Sequence, residues 1–125
     1  MKIIIILSVI ATSLCISGCS TSPIANQSVT PLAQTEIPTG NIYFYSSTCP
    51  HCQTVKEYIA SSNIQQKLYF LELEISNNSN NADILRAVGR RCLISEQDLS
   101  VPLFWDGNQC YVSSASVISY FQTLQ

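Results

Sequence analysis

Asn41-Ile42-Tyr43-Phe44-Tyr45-Ser46-Ser47-Thr48-Cys49-Pro50-His51-Cys52 joins two patterns of different period. Asn41 to Ser46 is apolar and aromatic without alternation, as in a short strand buried on both faces. From Pro50 to about Ser62, Val55, Tyr58 and Ile59 recur at helical spacing. The two cysteines therefore fall on the first turn of a helix that follows a strand directly. There the main-chain N–H groups have no intrahelical partner and the helix dipole is positive, which favours a thiolate at Cys49. Pro50 suits the first helical position, having no N–H to lose. His51, when charged, adds a cation beside the sulfur. Cys52 lies one turn inward, where it is expected to be more buried and less ionised. This division suits disulfide exchange, with Cys49 as nucleophile and Cys52 as the resolving thiol.

Working outward, Leu68 to Ile75 reads as a second strand, with Glu72 and Glu74 alternating with Leu71, Leu73 and Ile75. Asn77 to Asn81 reads as a polar turn. Ala82 to Arg91 is expected to be a helix with Ile84, Leu85 and Val88 on one face. Val101 to Trp105 reads as a strand, Asp106-Gly107-Asn108 as a hairpin turn, and Gln109 to Val112 as its partner strand. Ser113 or Ser114 can cap a last helix that carries Val117, Ile118, Tyr120 and Phe121. The expected order is β-α-β-α-β-β-α, a single α/β domain over residues 40–125. Tyr43, Phe44, Tyr45 and Trp105 are assigned to strand core. Arg86, Arg90 and Arg91 are assigned to a solvated helix end that complements the C-terminal dipole. Pro102 at the start of a strand is unusual, since it cannot donate to the ladder. A cis peptide bond is expected there.

On Cys49-Pro50-His51-Cys52 and Val101-Pro102, followed by Leu103-Phe104-Trp105-Asp106-Gly107, the chain resembles the thioredoxin superfamily. Its compact order is similar to that of a glutaredoxin. The resemblance spans residues 41–125 and implies a thioredoxin-like fold and thiol–disulfide exchange. It also implies that Pro102 faces the cysteine pair and that the Val101 main chain binds substrate. The Pro-His dipeptide is similar to that of the periplasmic dithiol oxidases, but it does not fix the direction of electron flow. One departure concerns glutathione. Glutaredoxins that bind it carry paired glycines and an acid after the hairpin, where this chain has Ser113-Ser114-Ala115-Ser116. A protein thiol is the better expected substrate. The aromatic-glycine context of thioredoxin is also replaced, by Ser47-Thr48.

The N-terminus reads as an address. Met1-Lys2 is followed by an apolar run from Ile3 to Ile16. Fourteen residues of helix rise roughly 21 Å, short of the ~30 Å hydrocarbon core. A signal peptide over residues 1–18 is expected rather than a spanning helix. Ile16-Ser17-Gly18-Cys19 resembles a bacterial lipobox, which implies that Cys19 becomes an acylated N-terminus and that Cys15 leaves with the signal. Residues 19–39 carry Pro23, Pro31 and Pro38 among Ser, Thr, Gln and Asn, and read as a flexible tether. The implied location is the cell envelope, anchored by lipid to a bacterial membrane, with the domain facing the periplasm or exterior.

Composition narrows the function. The 125 residues carry six Lys/Arg, eight Asp/Glu and one His, for a formal charge of −2. No basic surplus exists to neutralise phosphates, so nucleic-acid binding is disfavoured. The chain is long enough for one domain, and a monomer is expected. Six cysteines in so short a chain ask for an oxidising compartment, a metal or redox chemistry. Cys92 and Cys110 are expected to form a structural disulfide. A second redox pair, or free or intermolecular thiols, stay open. Four cysteines with His51 could supply a tetrahedral zinc site, but Cys92 and Cys110 are not a second close pair, so no metal is assigned. No cofactor is needed, because the disulfide itself carries two electrons.

The resulting expectation is an extracytoplasmic thiol–disulfide oxidoreductase acting on protein thiols and disulfides. A membrane redox partner would reset it. Two rivals are a non-catalytic adaptor lipoprotein on the same fold and a metal carrier that uses the CxxC.

Overall fold

The computed structural model describes residues 35–125. The signal peptide expected at 1–18, Cys19 and residues 20–34 of the tether lie outside the described residues. Strand β1 (Asn41–Tyr45) leads into α1 (Pro50–Ser61), a single-turn α2 (Ile64–Lys67) and β2 (Phe70–Glu74). Then come α3 (Ser79–Arg91), β3 (Leu103–Trp105), β4 (Cys110–Val112) and α4 (Ser114–Gln122). This is the expected order with α2 added, in one α/β unit.

The sheet has the order β2-β1-β3-β4. β1 runs parallel to β2, with Tyr45 opposite Glu74, and antiparallel to β3, with Tyr43 opposite Phe104. β3 and β4 form the expected hairpin. Its turn is held by the Asp106 carboxylate, which accepts the N–H groups of Asn108 and Gln109 at 2.8 and 2.6 Å. Gly107 takes a φ of +91°, which a side chain would strain.

β1 is central and covered on both sides, which is why its sequence does not alternate. On one face Tyr43, Phe70 and Phe104 pack with Val55 and Ile59 of α1, Ile64 of α2, and Val117 and Phe121 of α4. On the other, Ile42, Phe44, Leu103 and Trp105 pack with Leu85 and Val88 of α3. Phe104 meets Phe121 edge-on with centroids 4.9 Å apart, a geometry aromatic pairs prefer. Ile37 also packs against the α3-facing cluster, so the packed structure begins ahead of β1.

β2 and β4 are shorter than the sequence reading has them, and three further boundaries differ for local reasons. Asn63 takes a left-handed φ of 51°, which ends α1 and restarts the chain as α2 around the buried Ile64. One turn is too short for a hydrophobic period to register. α3 begins at Ser79 rather than Ala82, because the Asn78 side chain accepts from the N–H groups of Asn80 and Asn81. The polar run is thus a cap and a first turn. β3 begins at Leu103, since Pro102 has no N–H to pair. The Pro102 carbonyl instead accepts the Ser113 N–H at 3.1 Å, and Ser113 is the residue that caps α4.

Candidate active site

Cys49 is the N-cap of α1, and no side chain caps that helix. The Cys49 N–H donates to the Ser46 carbonyl at 3.2 Å. The Cys49 carbonyl accepts from the N–H groups of Cys52 and Gln53 at 3.1 and 3.2 Å. These bonds fix the turn on which both sulfurs ride. The Cys49 thiol is half-buried and free, and it donates to the Val101 carbonyl at 3.7 Å. The Val101–Pro102 peptide is cis, and Pro102 is fully buried behind Val101. The sequence-distant Val101 is therefore brought against Cys49. Pro50 occupies the first turn as expected, and both it and His51 are exposed.

Cys52 is free and wholly buried. Burial first, and then its hydrogen bond with Cys49, push the Cys52 thiol from 9.0 up to about 12. The main chain of Ser46 and the charge of Lys56 act in the opposite sense. The pair thus has one accessible sulfur and one held as a thiol behind it. Tyr43 adds a further constraint. Its hydroxyl donates to the Cys52 carbonyl at 3.1 Å inside the core. Burial, followed by the nearby Cys52, raises the Tyr43 phenol well above its usual range, so it stays a donor.

The loop ahead of Cys49 has its own supports. Ser46 is the buried polar residue of the core, and its hydroxyl accepts from the Ser76 hydroxyl at 2.6 Å and from the Thr48 N–H at 3.3 Å. Glu74, at the end of β2, accepts from the Ser47 N–H at 3.2 Å. Sequence reasoning gave Tyr43 to strand core and Glu74 to the second strand, and assigned no role at the site to them or to Ser46 and Ser76. The one available signal was Glu74 ending a strand before Ser76-Asn77, where turn N–H groups need an acceptor. Its reach to Ser47 spans 27 residues and has no local signature.

Cys92 and Cys110 are joined by a disulfide, 18 residues apart with Cα atoms separated by 6.1 Å. Cys92 is the C-cap of α3 and Cys110 opens β4, so the bond ties a helix end to a sheet edge. It closes the segment that carries Val101 and Pro102. Among the described residues no group of three His, Cys, Asp or Glu side chains is placed to hold a metal ion.

No family model and no curated protein matches this sequence. Among solved structures, the chain is similar to an oxidized glutaredoxin 2 from Chlamydomonas reinhardtii, at 15% identity and a TM-score of 0.47, over 67% of this chain and 72% of that one. It is also similar to a wheat glutaredoxin, at 17% identity and a TM-score of 0.49, over 70% and 73% of the two chains. A buckwheat glutaredoxin–glutathione complex is similar at 18% identity and a TM-score of 0.47, over 67% and 69%.

Proposed function

We propose that this chain is a thiol–disulfide oxidoreductase acting on protein substrates, with Cys49 as nucleophile and Cys52 as the resolving thiol. The observation that carries the reading is the division of the pair. A half-exposed Cys49 caps a helix and faces the Val101 carbonyl, while Cys52 is buried one turn behind it. The Cys49 thiolate attacks a substrate disulfide, so one Cys49–substrate S–S bond forms and the substrate S–S bond breaks. The released substrate thiolate takes up a proton. Cys52 then gives up its proton and attacks the Cys49 sulfur. The Cys49–Cys52 disulfide forms and the second substrate thiol leaves. The substrate gains two electrons and the protein loses two; the reverse sequence oxidises a dithiol.

Burial of Cys52 gives this order a physical basis. A thiol held up near 12 stays protonated until the mixed disulfide brings its target within reach. The Val101 main chain offers a ledge where an extended substrate segment pairs, and Pro102 keeps that ledge packed against the pair. A protein substrate is favoured over glutathione because the Ser113 hydroxyl, after the hairpin, is spent in capping α4. We place the domain on a bacterial membrane through lipid on Cys19, facing the periplasm or exterior, with a membrane redox partner that resets the pair.

Trapping tests the reading. Cys52→Ala in the full chain is expected to accumulate a mixed disulfide with a peptide disulfide, through Cys49. No adduct with Cys52→Ala, under conditions where free thiols of the unfolded chain react, would refute it. Metabolic labelling with palmitate, lost in Cys19→Ser, tests the anchor separately.

A further inference from the structure

The turn between β2 and α3 reaches across to the loop that carries Cys49. Glu74 is the residue that spans the gap. One of its carboxylate oxygens accepts from the Ser47 N–H at 3.2 Å and from the Ser76 N–H at 3.1 Å. The other accepts from the Asn77 N–H at 2.8 Å. The Ser47 hydroxyl lies 3.5 Å from the first oxygen. The Asn81 side chain donates to the Glu74 carbonyl at 2.8 Å and fixes its main chain. Beside this contact the Ser76 hydroxyl donates to Ser46 Oγ at 2.6 Å.

Closing the β2–α3 turn needs only the bonds to Ser76 and Asn77. The bond to Ser47 does something else. It joins this turn to the residue between Ser46 and Thr48, two places before Cys49. Ser46 in turn holds the turn that carries both cysteines, since its carbonyl accepts the Cys49 N–H at 3.2 Å. A bond to an ionised acceptor is stronger than one to a neutral acceptor. The three N–H donors hold the Glu74 carboxyl below its usual range, with the Asn77 N–H the largest cause. The acceptor is therefore an anion at neutral pH.

We propose that Glu74, seconded by Ser76, is a positioning residue that holds the Ser46–Thr48 loop and so sets the reactivity of the Cys49–Cys52 pair. The role rests on the redox reading of that pair. Glu74→Gln keeps the shape but turns one acceptor oxygen into an NH2 donor. That donor then faces main-chain N–H donors, and one anchor is lost. With the charge gone and one acceptor oxygen left for three N–H donors, the hold on the loop weakens while the fold, which Glu74 does not pack into, stays.

The test is the partition of the Cys49–Cys52 pair between dithiol and disulfide in mixtures of reduced and oxidised glutathione, on the full chain. Glu74→Gln is expected to shift this equilibrium about threefold or more toward the disulfide, by weakening support for the reduced pair. Ser76→Ala, which cuts the parallel strut to Ser46, is expected to shift it the same way by less. This variant decides the matter if Glu74→Gln does not fold. Asp83→Asn, the same change of charge on α3 where Asp83 pairs with Arg86, serves as the control and is expected to leave the equilibrium in place. A folded Glu74→Gln that matches the parent overturns the role of Glu74 and leaves the proposed function standing. A parent pair that does not exchange with glutathione or dithiothreitol at all overturns both.

Discussion

The chain carries two cysteine pairs whose placements differ in every respect that matters chemically. Cys49 and Cys52 are three residues apart on one helical turn, with one sulfur half-buried, the other wholly buried, and both free. Cys92 and Cys110 are 18 residues apart, on a helix end and a sheet edge, and joined. The local pair costs almost no loop closure, so its bond contributes little by restricting the unfolded chain. It gains instead from open N–H groups at the start of α1 and from a carbonyl that faces it. The distant pair closes a long loop and so restrains the unfolded chain, while its ends are fixed by elements that pack elsewhere. On the proposed function, the same residue type opens and closes in one place and holds in another, according to its placement and burial.

The sharpest way to break this contrast is to remove one sulfur from each pair. Cys49→Ser is expected to lower exchange with a peptide disulfide by about three orders of magnitude or more, since among the described residues Cys49 carries the one accessible free thiol. The stability of the variant should hardly change. Retention of the parent rate would assign the chemistry to another group. The converse holds for Cys92→Ser combined with Cys110→Ser. Loss of a bridge closing a loop of this length is expected to cost about 3 kcal/mol, read as a lowered urea midpoint. The folded fraction should still exchange through Cys49. Full stability with abolished exchange would show that the second pair relays electrons.

A smaller effect separates the two sulfurs of the open pair. The Cys52 thiol is raised from 9.0 to about 12 in the folded state, chiefly by burial. A group raised in this way contributes stability that is complete below its unfolded value. That stability is lost as pH rises through the folded value. The melting temperature of the reduced protein should therefore fall above about pH 9 and continue to fall toward pH 12. Tyr43, also raised by burial, acts in the same direction. Cys52→Ala keeps Tyr43 and loses the thiol, so its melting curve should fall less steeply over that window. Identical slopes would mean that Cys52 is not titrating inside the fold.

The smallest effect is at the loop that supports the open pair. Glu74 is held below its ordinary value, so its contribution is present above that value and lost as pH falls through the folded one. Exchange of the Ser47 amide hydrogen should accelerate relative to a Glu74→Gln reference as the solution is acidified below about pH 4.5. An unchanged ratio would remove Glu74 from the account of the loop.

What the sequence disclosed followed the range of the interaction. β1, α1 and the site of the two cysteines could be read because every signal lies within one strand and one helix. The hairpin was readable for the same reason, from Asp106-Gly107-Asn108. α2 was not, because four residues cannot show a period. The start of α3 was misplaced because asparagines both break and cap helices, and only the bonds from Asn80 and Asn81 to Asn78 decide which. The Glu74–Ser47 contact was invisible for a different reason. It depends on the parallel register that sets Tyr45 opposite Glu74, and no local pattern states that register. Candidate chemistry was therefore legible in Cys49-Pro50-His51-Cys52, while the groups that hold it in place were not.

The most direct test of the central contrast is a redox titration of the full chain in thiol–disulfide buffers, read by alkylation and peptide mapping. The account predicts one reversible two-thiol transition assigned to Cys49 and Cys52, between about −270 and −120 mV, that disappears in Cys49→Ser. Cys92 and Cys110 should stay joined throughout. A Cys49–Cys52 disulfide that resists reduction below about −300 mV would contradict it, because that bond would then be a second staple.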